Sequence, residues 1–196
     1  MDRALKPSRA APADLRIEGR ISHAVPFAKR HLHDPDYLAW VRDYEVVKTL
    51  NLTEYLTPVS FAEVKAYFDA MMASDRDLLL ALYYTPNDAF IGTLKAGHID
   101  GYAGTADLGI MIGRRDYWGR GIATDAIWTF SRYLFEALGL RKLTAGAMAT
   151  NPAMIRVFEK LGFRREGVLR RQDRLADEEI DHILFGCFPD ELEAAG

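Results

Sequence analysis

The segment Ile110-Met111-Ile112-Gly113-Arg114-Arg115-Asp116-Tyr117-Trp118-Gly119-Arg120-Gly121-Ile122-Ala123-Thr124 joins an apolar run to a cluster of arginines and a glycine pair. Gly119 and Gly121 let the backbone turn its N–H groups inward and approach a ligand closely. A helix starting at Ile122 aims its unpaired amides and its positive dipole end at the same loop. The resulting chemistry is an anion site suited to a diphosphate, to which Arg120 can add a charge-assisted contact. Such glycine pairs also occur as plain tight turns. Two other phosphate loops are excluded: no Gly-Lys-Ser/Thr follows, and residue 124 is Thr where a dinucleotide fingerprint has its third glycine.

The remaining reactive side chains are sparse. His31-x-His33 with Asp34 and Asp36 has ligand-like spacing, but Asp34 before Pro35 reads as an ordinary helix start, so no metal is expected. The single cysteine, Cys187, can form no internal disulfide and offers no structural zinc site. It lies five residues from His182 in a predicted strand, so the two face opposite ways. No Ser or Cys has nucleophile-elbow context, which disfavours a covalent route.

These groups need a scaffold, and the 196 residues allow one domain. A hydrophobic fraction of 49% with 11% aromatics is enough for a sizeable core. A net charge of −3 argues against nucleic-acid binding. The longest apolar run, Leu78 to Tyr84, is far short of a membrane span, and the charged N-terminus lacks the apolar stretch of a secretory signal. A soluble, cytoplasmic domain over residues 15–196 is expected, behind a mobile tail at 1–14.

Leu15 to Leu32 reads as strand and turn. Asp34 caps a short helix through Leu38 and Val41, and a second forms around Val46, Val47 and Leu50. Ser60-Phe61-Ala62-Glu63 is a capping box opening a clearer helix, and Trp40 and Phe61 read as core. Asp77–Thr85 and Ala89–Lys95 are strands joined at Pro86-Asn87-Asp88, with a further turn at Gly97-His98-Ile99-Asp100 and a strand over Ala106–Gly113. Ile122, Ala126, Phe130, Leu134 and Leu138 mark a helix ending at Gly139. A strand over Lys142–Ala149, a helix closed by Gly162 and a hairpin of Phe163–Arg174 with Ile180–Phe188 complete a mixed α/β architecture around one sheet.

Two blocks of this chain resemble the GNAT superfamily of acyl-CoA N-acyltransferases. Its pyrophosphate loop, Gln/Arg-x-x-Gly-x-Gly/Ala, falls on Trp118-Gly119-Arg120-Gly121-Ile122-Ala123, with Trp118 departing from the first position. The second block is Asn151-Pro152-Ala153-Met154-Ile155-Arg156-Val157-Phe158-Glu159-Lys160-Leu161-Gly162-Phe163, followed by Glu166-Gly167. Both are similar to the branch that includes ribosomal-protein and spermidine acetyltransferases. The resemblance implies a mostly antiparallel sheet that splays at the acetyl-CoA site and is flanked by helices. It further implies that Met111 and Ile112 offer backbone groups to the pantetheine arm. Trp118, Gly119, Arg120, Gly121, Ile122, Ala123 and Thr124 would hold the diphosphate, with Asn151 and Phe158 at the pantetheine end. Gly109 could permit a bulge that opens the gap.

Transfer to an amine requires its free base. For a lysine-like amine at pH 7 deprotonation costs roughly 3.4 pK units, about 4.6 kcal/mol. Asp107 sits where related sequences often carry a Glu aimed at the amine, so it is the candidate base; its bland alternative is a solvent-facing carboxylate. His98 is the weaker candidate. A backbone N–H at Ile110 to Ile112 is the candidate oxyanion donor. By resemblance His33, Tyr37 and Tyr55 line the acceptor mouth. The Tyr and Ser that protonate the thiolate in many relatives are replaced here by Phe158 and Met154, leaving Tyr117 or water and no assigned acid.

The expected activity is direct acetyl transfer from acetyl-CoA to a primary amine on a small molecule. Ile91–Lys95 and Asp107–Gly113 further resemble relatives that acetylate nucleotide-linked amino sugars, which makes those the leading acceptor. Polyamines, for which Asp34, Asp36, Glu45 and Glu54 would supply acid, and protein N-termini are alternatives. A regulator that binds acyl-CoA without turnover is another, and a homodimer is left open.

Overall fold

The computed structural model describes residues 12–48, 50 and 59–194. Two short strands, β1 (Ile17–Glu18) and β2 (Ser22–Pro26), precede four helices: α1 (Lys29–Leu32), α2 (Pro35–Trp40), α3 (Tyr44–Val47) and α4 (Phe61–Ala73). Then come β3 (Leu78–Tyr84), β4 (Ala89–Asp100) and β5 (Thr105–Ile112), followed by α5 (Ile122–Glu136) and β6 (Lys142–Met148). The chain closes with α6 (Pro152–Lys160), β7 (Arg164–Leu175) and β8 (Glu178–Cys187). Among the described residues the sheet has eight strands in the order β1-β2-β3-β4-β5-β6-β8-β7. All neighbours are antiparallel except β5 and β6. No helix among the described residues is long and apolar enough to cross a membrane.

Alternation along the strands divides the core in two. Leu80, Leu94, Leu108, Leu143 and Phe185 face α5 and α6, joining Phe130, Leu134 and Phe158. Leu79, Ala81 and Met111 face the other way, against α1–α4 through Phe27, Tyr37, Trp40, Val64 and Phe68. Helix starts are set by local chemistry. The Asp34 and Asp43 side chains accept from Asp36 and Glu45 N–H, and Ser60 and Glu63 form the reciprocal capping box.

Several sequence expectations change. The opening segment is a β1–β2 hairpin leading into α1, because two-residue β1 is too short to show a period. Helix α3 stops at Val47, short of Leu50. Phe61 is not core. It occupies the first helical position of α4, is 36% exposed, and lies 5.4 Å from the His33 ring. The turn expected at 97–100 is still strand: β4 runs on to Asp100 through a bulge between Gly97 and Asp100, with His98 at φ 52°. A bulge absorbs that residue without ending the ladder. At Gly109 the ladder with β4 is regular, so the expected bulge is absent there.

His31 and His33 do not converge on a common ligand. His31 is buried, its Nδ1 accepting from Ala28 N–H at 2.9 Å and its Nε2 lying 2.9 Å from Tyr83 Oη. His33 is exposed and bonds the Lys29 carbonyl. Burial, reinforced by the Arg30 charge, pushes the His31 pKa down from 6.5 to about 4. The unfolded chain therefore takes up the proton first. Stability is full above pH 6.5 and falls on acidification until pH 4, by about 3 kcal/mol in all. Urea unfolding across that window is expected to show this loss, and His31→Gln to flatten it.

Candidate active site

Strand β5 pairs with β6 only over Thr105–Leu108 and Lys142–Ala145. Beyond this, β5 continues along β4 as far as Ile112, while β6 continues along β8 as far as Met148. The strands fork after Leu108 and Ala145, leaving the facing edges of Gly109–Met111 and Gly146–Met148 without a strand partner. Such edges accept an extended ligand arm as an added strand. Gly113 ends β5 under the Trp40 ring, where any Cβ would collide with the indole. The chain then turns through Arg115–Tyr117 into the glycine loop.

Gly119 and Gly121 adopt φ 73° and 78°, and a Cβ on either would meet no protein atom within 4 Å. Gly121 is the N-cap of α5 and supplies no side-chain cap, so the first-turn amides of that helix have no side-chain acceptor among the described residues. Open space, uncapped amides and a positive helix end together fit an anionic group. Trp118 fastens the loop to the strand, its Nε1 donating to the Ile112 carbonyl at 2.8 Å. The Arg120 guanidinium lies 4.9 Å from the Tyr117 ring centroid and has no carboxylate partner among the described residues. Ile122 is buried and can serve a ligand only through its backbone amide, while Ala123 and Thr124 are half-buried.

One group missed by sequence reasoning anchors this loop. Asp125, 4% exposed, sits in the first turn of α5 and accepts from Arg20, Ile21 and Ser22 N–H and from Ser22 Oγ at 2.7–3.1 Å. It ties the helix end that faces the loop to the β1–β2 turn. Its helical position was legible; its donors, more than a hundred residues earlier, were not.

A cleft of about 870 Å³ lies over the fork on the α1–α4 face. Tyr37 and Tyr67 wall its helical side, while Lys95, His98, Asp107 and Thr144 lie on its strand side. Asn151, Met154 and Phe158 line the end beneath α6. Asn151 caps α6 by accepting from Met154 N–H, and Phe158 packs against Phe163 and Phe185. Desolvation by its surroundings raises the Asp107 pKa, although the side chain still reaches the open cleft. A 2.9 Å hydrogen bond from Thr144 Oγ1 and the charges of His98, Lys95 and His182 oppose that shift.

The structure thus brings Asp107, His98, Tyr37, Met111, Asn151 and Phe158 to one cleft. Trp118 to Thr124 form the loop beside the fork. His33 is not among the cleft residues, and Tyr55 lies outside the described residues. Tyr117 is buried, its Oη 2.9 Å from Asn87 Nδ2, and does not line the cleft either. Burial pushes the Cys187 thiol up to about 12 and packs it in the opposite core, which removes it as a nucleophile. His182 lines the cleft with Asp173 behind it, a pair that sequence reasoning did not assemble.

A forked parallel pair with a glycine-led helix at its lip suits an extended ligand with an anionic end, and comparison gives the family. Residues 26–164 match the model of the acetyltransferase (GNAT) domain. The chain belongs to the GNAT acetyltransferases. It is 27% identical over 170 residues to the uncharacterized N-acetyltransferase p20 of Bacillus licheniformis, covering 86% of this chain and 95% of that one. In fold it is similar to the spermidine N-acetyltransferase from Vibrio cholerae, solved in complex with CoA and spermine. The TM-score is 0.78 at 17% identity, over 87% of this chain and 96% of that one. RimJ of Mycobacterium smegmatis, in complex with CoA-disulfide, gives 0.74 at 21% identity, over 88% and 84%.

Proposed function

We propose that this acetyltransferase moves acetyl directly from acetyl-CoA to a single primary amine carried on a nucleotide-linked amino sugar. The observation that supports it best is the coincidence of the β5–β6 fork, the open Gly119–Gly121 loop and a cleft holding Asp107. The loop amides and Arg120 take the diphosphate, and the facing edges of Gly109–Met111 and Gly146–Met148 take the pantetheine arm. Acetyl-CoA supplies an acyl group already activated as a thioester. A backbone N–H of Ile110–Ile112 stabilises charge developing on the acyl oxygen. Asp107 receives the ammonium.

Charge in the cleft favours one amine over a polycation. Of the lining carboxylates, Glu166 is already paired with Lys142 at 2.7 Å, which leaves Asp107 as the one without an ion-pair partner among the described residues. Asp34, Asp36 and Glu45 lie outside the lining, and Glu54 lies outside the described residues. Two tyrosines beside a single carboxylate free of an ion pair suit a polar ring bearing one ammonium. The nucleotide link rests on the resemblance of the β4 and β5 sequences.

Asp107→Asn is expected to raise KM for the amine about tenfold, the effect of losing a charge-assisted contact. The Kd for acetyl-CoA should not change. Because desolvation raises the Asp107 pKa, amine capture weakens on acidification at a higher pH than an ordinary aspartate would give. Release of CoA thiol, measured with nucleotide-linked amino sugars, polyamines and peptides with free N-termini, tests the acceptor. Turnover confined to the first set is the expected result. Preference for either other set refutes the sugar assignment.

A further inference from the structure

We propose that His182, oriented by Asp173, is the group that takes the proton from the acceptor amine, leaving Asp107 to hold the cation. This rests on the acetyl-transfer reading above and assigns a step within it.

His182 lies on β8 opposite Met148 of β6, on the face shared by Thr144, Gly146 and Leu184. Its ring leans across β6. A Cβ placed on Gly146 would overlap His182 Nε2 and would sit 3.1 Å from Cδ2 and Cε1. Gly146 is the first β6 residue beyond the last β5–β6 pair, Leu108 with Ala145. Nε2 is therefore held over the fork, where the free strand edges begin. Glycine at 146 is what leaves room for it.

The other ring nitrogen is fixed from behind. His182 Nδ1 is 2.7 Å from Asp173 Oδ2, and Asp173 is 3% exposed. A buried carboxylate is unexpected on β7, an edge strand whose neighbouring side chains are largely exposed. It is buried because the β7–β8 register shifts between Leu169 and Asp173, with Arg171 at φ 56° and its N–H bonded to Asp181. That irregularity turns Asp173 in beneath the imidazole. A neutral imidazole that donates Nδ1–H to a carboxylate must present Nε2 as a lone pair. Nε2 then faces the cleft as an acceptor. The groups facing it are Asp107 from β5, Lys95 and His98 from β4, and Glu166 and Asp173 from β7.

The step balances. His182 Nε2 takes one proton as an N–H bond of the ammonium breaks, and Asp173 stabilises the imidazolium. The freed nitrogen pair forms the C–N bond as the carbon–sulfur bond breaks. The sulfur leaves with the electron pair of the carbon–sulfur bond and takes up the second proton shed by the nitrogen, and His182 returns its own proton to water. One proton is released overall.

Histidine ¹⁵N–¹H long-range spectra should show neutral His182 as the Nδ1–H tautomer in the wild type, and Asp173→Asn should disturb it. His182→Gln should lower kcat for thiol release about 100-fold, within the usual range for a general base, and abolish the acidic limb of the kcat profile. The Kd for acetyl-CoA should stay within twofold. Asp107→Asn should retain that limb and raise KM instead. An Nε2–H tautomer in the wild type overturns the assignment, as does a wild-type pH profile in His182→Gln. So does a limb lost in Asp107→Asn but kept in His182→Gln. If the wild type releases no thiol with any amine, the acetyl-transfer reading fails; the tautomer spectrum still decides whether Nε2 is the free acceptor.

Discussion

Gly121→Val is expected to weaken acetyl-CoA binding about 100-fold while leaving the domain folded. Gly121 sits at φ 78°, and a Cβ there meets no protein atom within 4 Å. The substitution therefore creates no collision inside the protein, but a β-branched residue pays roughly 1–2 kcal/mol to hold a left-handed conformation. Rotating out of it removes the strain and turns the loop amides away from the diphosphate. Losing one or two charge-assisted hydrogen bonds costs about 3 kcal/mol, which is the stated fold-change. Calorimetric titration with acetyl-CoA measures it. A Kd within twofold of wild type would mean that the anion is held elsewhere.

Asp125→Ala should cause the largest loss of stability. Four donors converge on this carboxylate, three of them backbone amides of the β1–β2 turn. Alanine leaves the two Ser22 donors unpartnered in a buried position and the Arg20 and Ile21 amides in a half-buried one. Unmade hydrogen bonds of this kind cost about 1–3 kcal/mol each and do not add fully, so about 4 kcal/mol is expected. At this chain length that corresponds to a fall in Tm of about 8–16 °C. Asp125→Asn keeps one acceptor oxygen but points an amide at donors, so it should recover little. Acetyl-CoA binding should weaken in both, since the helix end facing the loop loses its tie to β1 and β2. An Asp125→Ala protein with wild-type urea stability would show that water replaces the carboxylate at no cost.

What was legible in the sequence was local. The glycine loop and the helix after it are encoded within about twenty residues by φ requirements and a 3.6-residue period, and both appear as expected. The hairpin of β7 and β8 forms about the turn that the sequence marks at Ala176-Asp177-Glu178. Features that depend on pairing were hidden. The fork requires β5 and β6 to separate after Leu108 and Ala145, which no residue in either strand announces. His98 was placed in a turn because Gly97 precedes it, but the ladder with β5 resumes at Asp100 and carries the strand through the bulge. His182 was correctly set opposite in facing to Cys187. Its partner Asp173 turns inward only through a register shift that strand alternation cannot predict. Phe61 fits a helical apolar stripe, yet the first turn of α4 overhangs the core and leaves it beside His33.

The proposed reaction is direct transfer within a complex that holds both substrates. The most direct test is initial-rate measurement of CoA thiol release, varying acetyl-CoA at several fixed concentrations of an amino-sugar nucleotide, with mass spectrometry of product and protein. Intersecting double-reciprocal lines, one acetylated amine per thiol released and an unmodified protein mass are predicted. Parallel lines with an acetylated protein, or tight acetyl-CoA binding with no thiol released to any amine, would contradict it.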